Sequence, residues 1–256
     1  MISITILGTG NVAQNLFKAF STIESVTVVQ VVGRDKRHLE FFNSKSRLLN
    51  YNDALLPTDI YIIAVKDDAI AEVNQKIVSK GLVVHTSGAV SLSVLEAQER
   101  HGVFYPLQTF TKGRILDFST IPMCIEANNP NDLQLLQQLG EKISDNVISI
   151  DSTKRKALHV SAVFVNNFTN YMYSLGEEIC IENHLDFSLL KPLIKETAVK
   201  LEFLDSKKAQ TGPARRGDQQ TLHAHLNLLK SKKHREIYTL LSNSIKDSYH
   251  LKNSTS

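Results

Sequence analysis

The segment that most constrains the fold of this chain is GTGNVA at residues 8–13, which has the form GxGxxA. It follows a β-branched run over residues 2–7 that predicts a strand, and it begins an apolar pattern over 11–20 that predicts a helix. Gly8 permits a tight turn, Gly10 lets the backbone approach a ligand, and Ala13 is small enough for close packing of helix against strand. In this context the pattern predicts a dinucleotide-binding turn, with a plain glycine turn as the alternative.

The first 150 residues alternate between strand-like and helix-like patterns. This order predicts an α/β Rossmann-like, doubly wound parallel sheet with helices on both faces. Strands are predicted at residues 2–7, 26–32, 59–65, 82–85, 103–105, 123–127 and 147–150. Helices are predicted at residues 11–20, 36–43, 68–79, 91–100 and 130–143.

The strand pattern stops after residue 151, and an all-helical C-terminal domain is predicted. Its helices are expected at residues 152–183, 187–204, 218–230 and 233–251, followed by a frayed tail at 253–256. The first of these has an apolar stripe so wide that more than one face is expected to be buried. The predicted domains are therefore 1–151, which binds a nucleotide, and 152–256, which binds substrate and forms a dimer.

The end of the second strand indicates which dinucleotide binds. Gly33 stands where an acidic residue would bind the ribose hydroxyls of NAD, and Arg34 follows it directly. A guanidinium group at this place can pair with the 2′-phosphate of NADP. NADP is therefore preferred, Asp35 leaves NAD open, and a solvated turn is the third reading.

Ligands of open α/β sheets bind beyond the carboxyl ends of the strands, where two further loops are expected. Small residues at Ser87 and Gly88 would let a nicotinamide ring approach the backbone, and the Ser87 hydroxyl could bind its carboxamide or take part in catalysis. An ordinary turn is the alternative. Lys66 could be a proton donor, but it is more simply a solvated lysine. The predicted cofactor contacts are Gly8, Thr9, Gly10, Asn11, Val12, Arg34, Ala64, Val65, Lys66, Asp67, Ser87 and Gly88.

A polar set in the first helix of the second domain supplies the candidate acid and base. Arg155, His159 and Asn166 are spaced to project towards one side of a helix, with Asn167 one step round. His159 can act as a general acid or base, and Asn167 can orient it or hold a carbonyl group. A hydrogen-bonded interface histidine is the alternative.

A basic segment, TGPARRGD at residues 211–218, is the candidate substrate clamp. Asp218 is predicted to cap a helix, so Arg215 and Arg216 would lie beside its positive end and need an anion or an acidic partner. These three residues and His225 are the predicted substrate-binding set. No metal-binding motif is found, and His223 and His225 are poorly spaced for one.

Charge and cysteine content limit the function classes. Residues 1–150 carry 13 basic and 15 acidic side chains, whereas residues 151–256 carry 16 and 11, so the net charges are −2 and +5. The second half could meet a small anionic substrate but is too weakly basic to argue for nucleic acid. With two cysteines, Cys124 and Cys180, and no long apolar run, we expect a cytoplasmic protein with no membrane span.

Several segments together resemble a bacterial family that pairs a Rossmann-like domain with a helical domain of unknown function. They are residues 8–13, HTSGA at 85–89, YPLQTF at 105–110, residues 159–168, and TGPARRGD with His225. The family is described as NADP- or coenzyme F420-dependent oxidoreductases, and it is similar to pyrroline-5-carboxylate reductase and 6-phosphogluconate dehydrogenase-like proteins. The resemblance implies a homodimer through the helical domain and an active site in the cleft between domains.

One residue departs from the family pattern, because many members are expected to have histidine before the proline of PLQTF, where this chain has Tyr105. The leading hypothesis is an NADP-dependent reductase of a small, anionic carbonyl or imine, with His159 as proton donor. Alternatives are a non-catalytic NADP-binding redox sensor or scaffold, and a transferase that uses another nucleotide. The sequence leaves open whether F420 or an organic substrate is the redox partner.

Overall fold

A computed structural model describes residues 1–42 and 46–250, with an eight-stranded sheet at its centre. The predicted helix end at residue 43, the helix end at 251 and the tail at 253–256 lie outside the described residues. The strands are β1 (Ile2–Leu7), β2 (Val26–Val32), β3 (Arg47–Leu49), β4 (Ile60–Ile63), β5 (Leu82–His85), β6 (His101–Pro106), β7 (Met123–Ala127) and β8 (Val147–Ser149). Their order across the sheet is β3-β2-β1-β4-β5-β6-β7-β8.

The two central strands show why apolar residues run without interruption in this part of the sequence. β1 pairs in parallel with β2 on one side and with β4 on the other. Ile4 and Ile6 pack into a cluster on one face, whereas Leu7 and Ile63 pack into a second cluster on the opposite face. A strand that is buried on both faces needs apolar side chains at every position.

The sheet departs from the all-parallel prediction at one place. β7 runs antiparallel to β6, with Tyr105 opposite Cys124. The connection over residues 107–122 forms no helix. Parallel neighbours need a crossover, which is usually helical, so a chain without one returns in the opposite direction. The short edge strand β3 was also not predicted.

The helices around the sheet are α1 (Asn11–Ser21), α2 (Lys36–Leu39), α3 (Ile70–Gln75), α4 (Pro130–Gly140) and α5 (Ser152–Ala162). The predicted helix over 91–100 is wrong, because only a 3-10 turn, Leu92–Leu95, forms there. Gln98 instead donates its side-chain amide to the carbonyls of Asn74 and Ile77. Other predicted helices are divided into short helices and 3-10 turns, at Lys36–Leu39 with Glu40–Phe42 and at Asp67–Ala69 with Ile70–Gln75.

The chain forms two compact units, residues 1–167 and 168–256. The predicted boundary at 151/152 marks the change from strands to helices, whereas α5 packs in the unit that contains the sheet. The second unit contains α6 (Thr169–Glu182), α7 (Lys191–Val199), α8 (Ser206–Ala209), α9 (Pro213–Arg216), α10 (Gln219–Leu228) and α11 (Lys232–His250). The short helices α8 and α9 were not predicted. Within the described ranges, no helix has the length and apolar character that crossing a membrane requires.

The prediction that residues 152–183 bury more than one face is wrong for the single chain. Among them only Arg155, Leu175 and Cys180 are buried. Val160 and Ile181 are 56% and 67% exposed. The apolar stripe therefore faces outward along much of its length.

Candidate active site

The turn after β1 is built around a glycine that the fold itself requires. Gly8 has a φ of +126°, and a Cβ at this position would lie 2.2 Å from the carbonyl oxygen of Ala64. The neighbouring strand ends are joined there, because the Ala64 N–H donates to the Leu7 carbonyl at 2.8 Å and the Gly8 N–H to that of Val32 at 2.9 Å. Any larger residue would push β1 and β4 apart.

The second glycine of the turn leaves space for a ligand. A Cβ at Gly10 would have no atom within 4 Å, so packing inside the chain does not require glycine at this position. Gly10 is the N-cap of α1, which has no side-chain cap and no acidic residue in its first turn. Its N–H groups therefore remain available to an anion, and these residues fit a dinucleotide pyrophosphate.

A cavity of about 1360 Å³ lies over this turn, and all of its lining belongs to the first unit. Most of the predicted cofactor contacts line it: Gly8, Thr9, Gly10, Asn11, Val12, Arg34, Ala64, Val65 and Lys66. Asp67, Ser87 and Gly88 are not part of the lining. The cavity joins the glycine turn to the predicted acid-base residues, because His159, Asn166 and Asn167 also line it.

Arg34 lies at one end of the cavity with its side chain largely exposed. Its guanidinium is 3.6 Å from the Glu72 carboxylate. The carboxylate of the neighbouring Asp35 is engaged by Arg37. It accepts the Arg37 N–H, which caps α2, and it pairs with the Arg37 side chain at 2.8 Å. These contacts with Arg37 lower the pKa of Asp35 to about 2. His38, Tyr51 and Glu72, which were not predicted, complete this end.

The loop after β6 forms another wall of the cavity. Asn11 does not extend its side chain freely, since its Nδ2 donates to the Phe110 carbonyl at 2.9 Å. The buried Asn15, one turn later, donates to Arg114 and accepts the Leu116 N–H. Helix α1 therefore holds this loop. The sequence signal was the PLQTF segment, of which Leu107, Gln108, Thr109 and Phe110 line the cavity.

In the loop after β5, the Ser87 hydroxyl forms hydrogen bonds with the backbone of the same loop. Ser87 is buried, and its hydroxyl accepts the N–H groups of Ala89 at 3.1 Å and Val90 at 3.0 Å. The Ser87 N–H donates to Nδ1 of His85, which is fully buried. Burial and the nearby Arg155 charge lower the pKa of His85 to about 4. The catalytic or carboxamide role predicted for Ser87 stays a prediction.

Three elements meet at the other end of the cavity. The hydroxyl of Tyr105 on β6 is 3.2 Å from Nδ1 of His159 on α5, and the two rings are 6.1 Å apart at 72°. A Cβ on Gly88 would lie 2.6 Å from this Nδ1 and 2.7 Å from Cζ of Tyr105. Gly88 is thus required by the ring pair that packs on it. Burial raises the pKa of Tyr105 to about 12.

The spacing of the polar residues on this helix predicted that they share one environment. The structure shows that they do not. Arg155 is fully buried, where it pairs with Glu126 and donates to the Val90 carbonyl and to the Ser152 hydroxyl. It anchors α5 to the sheet and to the loop that carries Gly88. Asn166 and Asn167 lie in a π-helical segment, Val163–Phe168, which changes the register of the helix after His159.

The predicted substrate-binding residues lie in the second unit. Asp218 caps α10, as predicted, by accepting the Thr221 N–H at 3.1 Å. Arg215 and Arg216 are the last two residues of the short helix α9. Hydrogen bonds from Thr221 and the charge of Arg216 lower the pKa of Asp218, so this carboxylate offsets part of the arginine charge. Arg215 donates to the Gln210 carbonyl, and Nδ1 of His225 is 2.8 Å from the Tyr238 hydroxyl.

Two family models match the chain. Residues 3–87 match "NADP oxidoreductase coenzyme F420-dependent", and residues 121–245 match a domain of unknown function, DUF2520. No curated protein matches it.

Among solved structures, the chain is 37% identical to a candidate NADP oxidoreductase from Bacteroides fragilis, with 96% of this chain and 98% of that chain covered and a TM-score of 0.89. An imine reductase from Myxococcus stipitatus in complex with NADP+ is 14% identical, with 98% and 95% covered and a TM-score of 0.63. A pyrroline-5-carboxylate reductase from Coxiella burnetii is 17% identical, with 97% of each chain covered and a TM-score of 0.59. The last two likenesses show the shared fold, whereas the first shows the family. The chain therefore belongs to the NADP oxidoreductases in which a Rossmann-like domain is followed by a DUF2520 domain.

Proposed function

We propose that this protein is an NADP-dependent reductase of a small carbonyl or imine substrate. The observation that carries the proposal is a single cavity that contains the open N-terminus of α1, the Arg34 guanidinium and the His159 imidazole. These groups are what a dinucleotide pyrophosphate, a 2′-phosphate and a proton transfer need, respectively. When bound, NADPH supplies a hydride.

The cofactor preference rests on the contrast between Arg34 and Asp35. A carboxylate that binds ribose hydroxyls would favour NAD, but the Asp35 carboxylate already caps α2 and pairs with Arg37. The Arg34 guanidinium makes an exposed contact of 3.6 Å with Glu72, which a phosphate can replace. We therefore expect Arg34 to bind the 2′-phosphate.

On the substrate side, the imidazole of His159 would donate a proton to the carbonyl oxygen or imine nitrogen. Asn167 lines the same cavity and can hold the substrate by its side-chain amide. The anionic character of the substrate remains a prediction that rests on the second unit. There Arg216 is exposed, whereas Arg215 is occupied by the Gln210 carbonyl and the Tyr249 ring.

The first experiment measures binding of NADPH and NADH by fluorescence titration. Arg34→Ala is expected to weaken NADPH binding about tenfold, a loss of about 1.4 kcal/mol, and to leave NADH binding nearly unchanged. Arg114→Ala is the matched control, because Arg114 is an exposed arginine of the same unit that does not line the cavity. An unchanged preference for NADPH in Arg34→Ala would reject the 2′-phosphate role.

The second experiment tests turnover. NADPH oxidation is followed with a panel of carbonyl and imine compounds, with and without a carboxylate, and with F420. Turnover of any member that falls steeply in His159→Ala, to a residual rate that can still be measured, supports the reductase. Tight NADPH binding without oxidation by any member would favour the non-catalytic sensor.

We also propose that the protein is a homodimer through its helical unit. Large apolar side chains in this unit are more than half exposed in the single chain: Ile181, Leu185, Leu189, Leu193, Leu201, Phe203, Leu228 and Leu240. A folded monomer rarely leaves so much apolar surface open to water, and a second copy would bury the same surface on both partners. Light scattering is expected to give twice the mass of one chain, and a monomer at micromolar concentration would refute the dimer.

A further inference from the structure

We infer that Tyr105 is a positioning residue that fixes the orientation of the His159 ring and directs its Nε2 atom to the cavity. This inference rests on the proposed function, in which His159 donates the proton. It starts from the 3.2 Å contact between the Tyr105 hydroxyl and Nδ1 of His159. Because this contact occupies Nδ1, the other ring nitrogen is the one left to serve a ligand.

The hydroxyl group suits this task because it can both donate and accept a hydrogen bond. Burial raises the pKa of Tyr105 to about 12, so the phenol keeps its proton near neutral pH. Its O–H can donate to Nδ1 of a neutral imidazole, and its oxygen can accept from Nδ1–H of an imidazolium. A carboxylate would instead favour the charged ring strongly. The ring can therefore keep one orientation in both protonation states.

The proton balance follows from this arrangement. In the acid form both nitrogens of His159 carry protons, and Nδ1–H donates to the Tyr105 oxygen. The Nε2 proton would pass to the substrate oxygen or nitrogen, and bound NADPH would supply the hydride to the substrate carbon. The ring is then neutral and still bonded to Tyr105 through Nδ1–H, and water returns a proton to Nε2. Tyr105 itself never loses its proton.

Packing holds the pair from two further sides. Both rings pack closely against Gly88, since a Cβ added there would lie 2.6 Å from Nδ1 of His159 and 2.7 Å from Cζ of Tyr105. Arg155, one helical turn before His159, ties α5 to Glu126 and to the Val90 carbonyl. The charged or titratable groups that act on Tyr105 are Cys124 on β7, Arg155 on α5 and Asp67 after β4. None of them replaces the hydroxyl as the partner of Nδ1.

The resting state of the pair can be read by nitrogen-15 NMR of the histidine rings in the protein without cofactor, at about two pH units above the ordinary histidine pKa of ~6.5. We expect Nδ1 of the neutral His159 ring to be hydrogen-bonded to the Tyr105 hydroxyl, either as an acceptor or as a donor. In Tyr105→Phe, the Nδ1 resonance should move towards that of an unbonded ring nitrogen. His101 is the internal control, because its Nδ1 is 2.8 Å from the Gln98 carbonyl and should not change.

Kinetics supply a second measurement. With a substrate from the panel, Tyr105→Phe is expected to lower kcat about tenfold and to leave the NADPH dissociation constant unchanged. In a His159→Ala background the same change should have no further effect, because the ring that Tyr105 positions is absent. An equal loss in both backgrounds would show a merely structural role.

The outcomes separate this inference from the proposed function. If no substrate oxidises NADPH, the reductase proposal fails, and the NMR measurement still decides whether Tyr105 sets the state of His159. If the Nδ1 resonance is the same in Tyr105→Phe, the inference is wrong even if the reductase is active.

Discussion

The two units of this chain differ in how much of their own apolar surface they bury. In the first unit, the apolar clusters on both faces of the sheet contain residues with almost no exposure, such as Ile4 and Phe104 on one face and Ile63 on the other. Among the residues of the second unit that the structure describes, the buried apolar ones are Leu175, Cys180, Ala209, Ala214 and Leu222. Phe203 and Leu189 of that unit are 77% and 71% exposed.

This difference indicates that the two units are stabilised in different ways. The first unit is stabilised by burial within one chain, which scales with the apolar area removed from water. The second unit has apolar side chains that its own helices do not cover, so it depends on burial from elsewhere, which we propose is a second copy. Substitutions in the first unit should therefore act independently of protein concentration.

The largest effect is expected in the core of the first unit. Phe104 is fully buried, and its ring centroid is 6.3 Å from that of Phe20. Phe104→Ala would leave a cavity and lower the free energy of unfolding by about 3–5 kcal/mol. Urea denaturation at two protein concentrations should give the same loss. A loss below about 1 kcal/mol would show that this core does not carry the stability of the unit.

A somewhat smaller effect is expected at the buried ion pair of the first unit. Glu126 pairs with the fully buried Arg155 and accepts the N–H of Ser152 at 2.9 Å and its hydroxyl at 2.8 Å. Glu126→Gln leaves the arginine charge unneutralised and should cost about 3 kcal/mol, measured by urea denaturation.

The control for this pair is the double substitution Glu126→Gln with Arg155→Met. It removes the buried charge together with its partner, so it should be less destabilising than Glu126→Gln alone. A double variant that loses as much as the sum of the single losses would mean that the two side chains act independently.

The sequence predicted the strand, turn and helix at the glycine-rich end of the cavity because the signals for them are local. The β-branched run before Gly8 and the periodic residues after Gly10 specify a strand, a turn and a helix over neighbouring positions. Arg34 follows directly on the end of the second strand, so counting residues was enough to find it. These positions require no knowledge of distant segments.

The other end of the site could not be predicted because it depends on contacts between distant segments. Tyr105 and His159 are 54 positions apart, and Gly88 belongs to a third element. Helical spacing grouped Arg155 with His159, but it could not show that Arg155 pairs with the distant Glu126 on β7. The direction of β7 was likewise set by a connection that has no periodic pattern.

A pH-dependent loss of stability is expected from His85 in the first unit. Burial and the Arg155 charge lower its pKa to about 4, below the ordinary value of ~6.5 that applies when the chain is unfolded. Between these values the unfolded chain binds more protons, so stability falls as the pH falls. Between about pH 6.5 and about 4.5, His85 should account for a loss of about 2 kcal/mol.

The measurement compares urea denaturation of the wild-type protein and His85→Asn across this pH range. The amide oxygen of the introduced asparagine can replace Nδ1 as the acceptor of the Ser87 N–H, which donates at 3.1 Å in the wild type. Carboxylates titrate in both proteins, so the difference between the two slopes isolates the histidine. Parallel slopes would show that His85 is not held neutral by its environment.

The smallest effect is expected at an ion pair of the second unit. Lys232 and Glu236 are one turn apart on α11, 3.8 Å from each other, with side chains 86% and 64% exposed. Glu236→Gln is the same chemical change as Glu126→Gln, but water solvates both charges, so the cost should be below about 0.5 kcal/mol. Urea denaturation at two protein concentrations measures this loss. A loss above about 1 kcal/mol that disappears on dilution would mean that a second copy covers this face of α11, which would extend the proposed dimer contact from the apolar Leu240 to a charged pair on the same helix.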